Sequence, residues 1–255
     1  MTSDLSPEEI LSLKAGGRFL AEALALVCKA VRPGVSTAEL NQIAEHELAL
    51  RNCRPSFKNY YVAGAGEYPA ALCISINDEI VHGLPDAGRL LQDGDIVSLD
   101  LGAEYQGIYS DMAVTVAAGE ISKESQRLIE VTKHSLETGI AAITPGAKIG
   151  DIGAAIEEYV ESEGFAVIKD YVGHGIGRKP HELPQIPNFG RKGTGPLIAD
   201  NQALAIEPMV SVGDFHTMVA NDGWTVKTLD GSLSAHFEHT VIVENGLPVI
   251  VTNFM

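Results

Sequence analysis

Apolar and polar positions repeat along this chain with two periods, and each change of period marks a new element. Ser6-Pro7-Glu8-Glu9 supplies an N-cap, a proline and acids for a first turn, and Ile10, Leu13 and Leu20 follow near helical spacing. That spacing predicts a helix ending before Pro33-Gly34, and a second helix over about 37–50. A two-residue period then appears at 73–76 and continues at 79–82 after a turn at Asn77-Asp78. It returns at 95–101 and 110–116, with Gly102 and Gly107 between the two runs, which predicts an antiparallel hairpin. Residues 122–143 and 149–163 read as two further helices. From 173 to 195 glycine and proline dominate, so that stretch reads as loop or irregular strand, and 224–228, 236–243 and 249–252 read as strands. Helices and strands come in blocks rather than as βαβ units. This predicts an α+β chain with a mostly antiparallel sheet and flanking helices.

The polar positions inside the strands carry the chemistry. In Asp-Ile-Val-Ser-Leu-Asp-Leu-Gly, Ser98 and Asp100 share one face while Val97, Leu99 and Leu101 take the other. In Ala-Leu-Ala-Ile-Glu-Pro, Glu207 falls opposite Leu204 and Ile206. Asp111 opens the apolar run 112–116, and Glu238 opens 239–243. A carboxylate at the end of an apolar strand is costly to bury unless something positive meets it. Four such acids arriving in two pairs point to carboxylates converging on a metal centre inside a sheet. A faint repeat accompanies them. Pro33-Gly34 precedes a helical pattern from Glu39 to Glu45, and Pro145-Gly146 precedes one from Asp151 to Glu157, at an offset of 112 residues. The order turn, helix, strand with acid, strand with acid occurs twice. We read one catalytic domain over 1–255, built from halves at roughly 8–120 and 121–251 that each supply two carboxylates.

Composition narrows the function classes. The 255 residues suffice for a sizeable core, and 45% hydrophobic with 20% charged residues is ordinary for a globular protein. A net charge of −16 opposes DNA binding and attachment to anionic membranes. The first residues are acidic and lack the layout of a signal peptide, and 19–28 is short and broken by Glu22, so no membrane span is expected. Cys28, Cys53 and Cys73 show no paired spacing. That favours a reducing compartment, with the cytoplasm as the default. The chain is expected to work as a monomer.

The histidine that best completes the acid set is His174, flanked by Gly173 and Gly175, which remove bulk and let the ring approach a crowded site. Oxygen ligands plus imidazole suit Mn, Fe, Co or Zn without choosing among them. Four carboxylates and an imidazole exceed the needs of one small ion and match two divalent ions. Any single Asp or Glu among 34 acids is ordinarily a solvated surface group. The coincidence of all five residues is what carries the reading. His82, before Gly83-Leu84-Pro85, and His181, seven residues after His174, are candidates to hydrogen-bond a peptide near the metals. His46 and His134 read as surface positions, whereas His216, His236 and His239 have no role on pattern alone. Cys73 reads as core rather than nucleophile, because no paired histidine surrounds it. No phosphate-binding glycine loop is present.

At this point the chain resembles a known family, the type I methionine aminopeptidases of the pita-bread fold. The resemblance runs from about Glu8 to Val251. It is carried by Cys73-Ile74-Ser75-Ile76-Asn77, Val81-His82-Gly83-Leu84-Pro85, Ser98-Leu99-Asp100-Leu101-Gly102 and Tyr109-Ser110-Asp111. Gly173-His174-Gly175-Ile176-Gly177, His181-Glu182, Ile206-Glu207-Pro208-Met209 and Phe237-Glu238-His239-Thr240 continue it in order. The resemblance implies two pseudo-symmetric halves around a dinuclear site that removes N-terminal methionine from nascent polypeptides and peptides with a small second residue. It implies Asp100, Asp111, His174, Glu207 and Glu238 as metal ligands, with Asp111 and Glu238 bridging. It further implies a bridging hydroxide as nucleophile, Glu207 as proton acceptor, His82 on the second residue's amide and His181 on the carbonyl. Tyr68, Cys73 and Trp224 fall where the family lines its methionine pocket. Two positions depart from the family pattern, Pro180 before the second histidine and Ala65 in place of an aromatic, and both touch the pocket rather than the metals. No zinc-binding extension or type II helical insertion is present, so the chain reads as the compact bacterial form.

Two other readings stand beside this one. A proline-specific aminopeptidase resembles the same fold and ligands but carries a further N-terminal domain. A non-catalytic pita-bread module is expected to have lost ligands. Arg178, Lys179, Arg191 and Lys192 read as scattered solvated charges in preference to a patch for transient ribosome contact. Because Thr2 is small, the chain's own Met1 is expected to be a substrate. Intact-mass spectrometry of natively expressed protein should show Met1 removed, and a majority species retaining it would count against the reading.

Overall fold

Two eleven-residue strands, Asp95–Tyr105 and Ile108–Ala118, form the central hairpin of a computed structural model that describes residues 4–253. Met1 and Thr2 lie outside the described residues. The hairpin is longer than its sequence pattern predicts. Its ladder continues through Leu101–Met112 and Gly102–Asp111 to Tyr105–Ile108, leaving only Gln106 and Gly107 to turn the chain. Both turn residues have positive φ, 51° and 82°, the backbone of a two-residue turn whose twist matches the strands it joins. Gly102 is therefore part of a strand. A Cβ there would stand 1.9 Å from Ser56 Oγ, so close packing explains this glycine and a turn does not.

The hairpin lies within a nine-stranded antiparallel sheet. Leu72–Ile76 and Arg54–Pro55 pair with Asp95–Tyr105 on one side. On the other, Ile108–Ala118 pairs with Glu238–Glu244, which continues to Ala203–Ile206, Gly173–Gly175 and Glu182–Ile186. Leu247–Ile250 closes back on Glu238–Glu244. The stretch read as loop or irregular strand contains two short strands, and His174 sits in one of them.

Four helices flank the sheet: α1 (Pro7–Ala30), α2 (Thr37–Leu50), α3 (Lys123–Ala141) and α4 (Ile149–Ser162). The first two begin with capping boxes, Ser6 with Glu9 and Ser36 with Glu39, which satisfy backbone N–H groups that the first turn leaves free. At α4 the Asp151 carboxylate accepts from the Lys148 N–H at 2.7 Å. Val97, Leu99, Leu101, Met112 and Val114 occupy one face of the hairpin and join residues of all four helices in one core. Each large side chain buried there contributes about 1.5–3 kcal/mol. The opposite face carries Ser98, Asp100, Asp111 and Ala113.

Gly17 places α1 against the C-terminal strand, because a Cβ there would lie 2.6 Å from the Val251 carbonyl oxygen. Helix propensity alone makes Gly→Ala worth about 0.5–1 kcal/mol of stability. Overpacking against a backbone atom costs about 1–3 kcal/mol and wins. Gly17→Ala is expected to lower the urea unfolding midpoint, and a raised midpoint would overturn this packing account.

Candidate metal centre

The register of the sheet places the acids. Cys73 lies opposite Asp100, Asp100 opposite Ala113, and Ala113 opposite Glu238, so these four form one row across four strands. The adjacent row on the same face holds Gly102 opposite Asp111 and, across a gap, Thr240 opposite Ala205 and Ala205 opposite His174. Alternate positions share a face, so one surface receives Asp100, Asp111, Glu238 and His174 together. The small residues Ala113 and Ala205 between them leave room above the sheet, and Gly102 lets Ser56 and Phe57 pack onto it. Asp100 and Asp111 thus lie inside long strands, not at strand ends as their sequence context suggests. Glu207 follows Ala203–Ile206 directly, and Asn188 Nδ2 donates to its carbonyl at 3.0 Å.

Where Glu238–Glu244 parts from Ile108–Ala118, a side chain mends the sheet. The Asp111 N–H donates to Thr240 Oγ1 at 2.8 Å, and the Thr240 hydroxyl donates to the Asp111 carbonyl at 2.8 Å. Thr240 is fully buried. His174 is fixed as tightly: Cβ atoms on Gly173 and Gly175 would meet the carbonyls of Ala205 and Leu183 at 2.4 and 2.3 Å. Its Nδ1–H donates to the Gly175 carbonyl at 2.9 Å, which leaves the Nε2 lone pair facing Glu207 Oε1 at 3.6 Å.

One ligand atom each from Asp111, His174 and Glu238 lies within 4.8 Å of the others. Asp100 Oδ1 and Glu238 Oε1 are buried with no hydrogen-bond partner among the described residues. Burial, reinforced by neighbouring carboxylates, holds the carboxyls of Asp100, Glu207 and Glu238 well above the usual range. Asp111 is pushed up to about 7 by burial, against the pull of the Met112 N–H and of Asp100. The nearby imidazoles move the other way. Burial lowers His174 to about 3, and burial with neighbouring His181 lowers His82 to about 4. Buried acceptors without donors, beside imidazoles that stay neutral, form a donor set suited to a divalent cation.

The carboxylates floor a cavity enclosing about 220 Å³. Tyr68, Cys73 and Trp224 form one wall, with the Tyr68 and Trp224 rings edge to face at 5.1 Å. Burial raises the Cys73 thiol well above its ordinary value, so it stays protonated and apolar. His82 also lines the cavity, on a backbone at φ 61°, and Tyr68 Oη donates to the next carbonyl, Gly83, at 2.9 Å. His181 stands across the mouth with its ring 4.5 Å from that of His174. All ten residues singled out in the sequence border this one cavity.

Neither Ala65 nor Pro180 borders it. Phe57, Tyr60, Val62 and Tyr171 do, and periodicity gave no sign of them because 57–67 is irregular and Tyr171 lies in a loop. A second buried histidine, besides His174, was also unreadable. His236 Nε2 lies 3.7 Å from Glu207 Oε2, and neither ring nitrogen has a hydrogen-bond partner among the described residues. Thr115 pins its backbone, donating to the His236 carbonyl and accepting from its N–H, each at 2.9 Å.

Residues 12–245 match the metallopeptidase family M24. The chain belongs to that family. This M24 chain is 46% identical over 244 residues to the methionine aminopeptidase of Clostridium acetobutylicum, covering 96% of each. With that of Aquifex aeolicus it shares 47% identity over 252 residues, covering 97% of each. Its structure is similar to the crystal structure of the Thermotoga maritima methionine aminopeptidase, with a TM-score of 0.96 and 45% identity, covering 99% of this chain and 100% of that one. The curled antiparallel sheet with flanking helices is the pita-bread fold of M24 enzymes. Prolidase from Pyrococcus furiosus shares that fold alone, at 17% identity and a TM-score of 0.78, with 97% of this chain matched to 64% of the longer one.

Thr240 gives the site a direct test. Thr240→Val strands a buried N–H and a buried carbonyl of Asp111, which should cost about 2–4 kcal/mol, whereas Thr240→Ser should stay within about 1 kcal/mol of the parent. Urea denaturation separates the two. Equal losses would mean that the hydroxyl contributes no more than the methyl group and would overturn this account.

Proposed function

We propose that this M24 metallopeptidase hydrolytically removes N-terminal methionine from nascent proteins and peptides with a small second residue. One observation carries the reading: a buried cluster of acids and imidazole opens onto an apolar pocket, in a chain 46–47% identical to methionine aminopeptidases over almost its whole length. An unbranched thioether suits a wall built from Tyr68, Cys73 and Trp224. The proline-specific alternative rests on neighbours that share the fold alone. A non-catalytic module has no use for five intact donors.

In this reading Asp100, Asp111, His174, Glu207 and Glu238 hold two divalent ions drawn from Co, Mn, Fe and Zn. The partnerless oxygens of Asp100 and Glu238 support the assignment. When bound, such ions polarise a peptide carbonyl and activate water. The Glu207 carboxylate takes up the proton released as water attacks. His82 holds the amide of the second residue, and His181 donates to the scissile carbonyl oxygen. Burial pushes His82 down to about 4, and desolvation at the cavity mouth lowers His181 from its ordinary value, which favours neutral rings with one donor and one acceptor nitrogen each. We further read 1–255 as one catalytic domain of two halves, acting as a cytoplasmic monomer. Its three free cysteines support the reducing compartment, and no described helix is long and apolar enough to cross a membrane. Arg178 is paired with Glu9 and Lys192 with Glu158, which weakens a ribosome-facing basic patch.

Metal-stripped protein should release no methionine from Met-Ala-Ser. Adding Co, Mn, Fe or Zn should restore release, with little cleavage of Ala-Pro-Ala. Preferred cleavage of Ala-Pro-Ala would move the chain to the proline peptidases. His181→Ala should lower kcat by on the order of 10²–10³.

The raised carboxyl groups set the pH dependence of metal affinity. Without a cation Asp111 retains its proton up to about pH 7, and Asp100, Glu207 and Glu238 are also held above the usual carboxyl range. A cation must displace them, so affinity should rise from pH 5.5 to 7.5 and binding should release protons. Calorimetry in buffers of different ionisation enthalpy measures the release, and a pH-independent affinity would contradict the assignment.

A further inference from the structure

We propose that Tyr60 is a positioning residue that holds His181 in the tautomer with its proton on Nε2, so that the ring presents a donor to the cavity. The proposal rests on the carbonyl-donor role given to His181 above. Tyr60 Oη lies 3.0 Å from His181 Nδ1, with the two ring centroids 5.0 Å apart at 59°. A neutral imidazole has one protonated nitrogen. A phenol donating to Nδ1 therefore forces the proton onto Nε2. The opposite tautomer would turn a lone pair toward a substrate carbonyl and repel it. On its other side the His181 ring meets the His174 ring edge-on at 63°, so the imidazole is clamped between Tyr60 and His174.

Tyr60 directly precedes a short hairpin, Tyr61–Val62 paired with Gly66–Glu67, and the segment is held by its backbone. The Tyr60 carbonyl accepts from the Tyr68 N–H at 2.9 Å, the Asn59 N–H donates to the Tyr68 carbonyl at 2.8 Å, and the Tyr60 N–H donates to the Phe57 carbonyl at 2.8 Å. Tyr68 is itself buried and bonded through Oη to the Gly83 carbonyl, next to His82. One hydrogen-bonded path thus runs from the turn holding His82, through Tyr68 and Tyr60, to His181 on the far rim. The position is separated from His181 by 121 residues of sequence, which hides the pair from any local pattern.

Tyr60→Phe removes one oxygen and leaves every backbone bond of the segment in place. With Met-Ala-Ser as substrate and metal-loaded enzyme, kcat should fall about 10–100-fold, the range for loss of a group that orients another. KM should change less than about threefold, as expected when the lost interaction acts in the transition state. In a His181→Ala background the same change should have no further effect, because the two residues act as a unit. Nitrogen-15 spectra of the histidine rings of ion-free protein should show Nδ1 of His181 unprotonated in the parent and mixed tautomers in Tyr60→Phe. A kcat within about twofold of the parent, or an equal loss in both backgrounds, would overturn the proposal and leave Tyr60 a wall of the pocket. Parental kcat in His181→Ala would instead remove the donor role of His181, and the proposal with it.

Discussion

The molecule depends on gathering four carboxyl groups on one buried face of a sheet. Like charges without water repel, and their desolvation costs several kcal/mol per ion, so the arrangement persists only with compensation. Much of the surrounding structure supplies it. Val97, Leu99, Leu101, Met112 and Val114 of the central hairpin turn to the helices, which leaves the opposite face to the acids. Ala113 and Ala205 keep that face low between the acids. Thr240 bridges the gap where Glu238–Glu244 parts from Ile108–Ala118, holding the backbone of Asp111 without adding a charge.

The imidazoles around the acids complete the electrostatics. Burial keeps His174, His82 and His236 neutral, so they add lone pairs and donors but no cations of their own. A metal ion therefore meets excess negative charge in a poorly solvated setting, where attraction is strong. The aromatic wall of Tyr68 and Trp224 adjoins this floor and lets an apolar side chain rest beside reactive groups.

Much of this was legible in the chain. Strand periodicity put Asp100 on the face away from Leu99 and Leu101, and that face is the one that bears the acids. Glycines beside His174 signalled close approach, and carbonyls a little over 2 Å from their missing Cβ positions are the cause. Other features were hidden because their reasons are tertiary. Gly102 resembled a turn residue, yet it is a strand residue beneath Ser56. His236 has no local signature, since its burial comes from distant elements. Ala65 and Pro180 drew attention as departures within a familiar motif, but the cavity is bordered by Tyr60 and Val62 from an irregular segment.

The bond between Asp111 and Thr240 spans 129 residues, and the sheet joins strands from both ends of the chain. Nearly all the contacts that create the cavity are therefore nonlocal, a topology associated with slow folding because large loops must close before contacts reward them. During synthesis, a ribosome will have made most of the polypeptide before Glu238 can join the acids that precede it. The complete set of donors is thus a property of the finished native state, and local opening of any strand that carries one dismantles it. Activity in this architecture is also a report that the whole chain has folded.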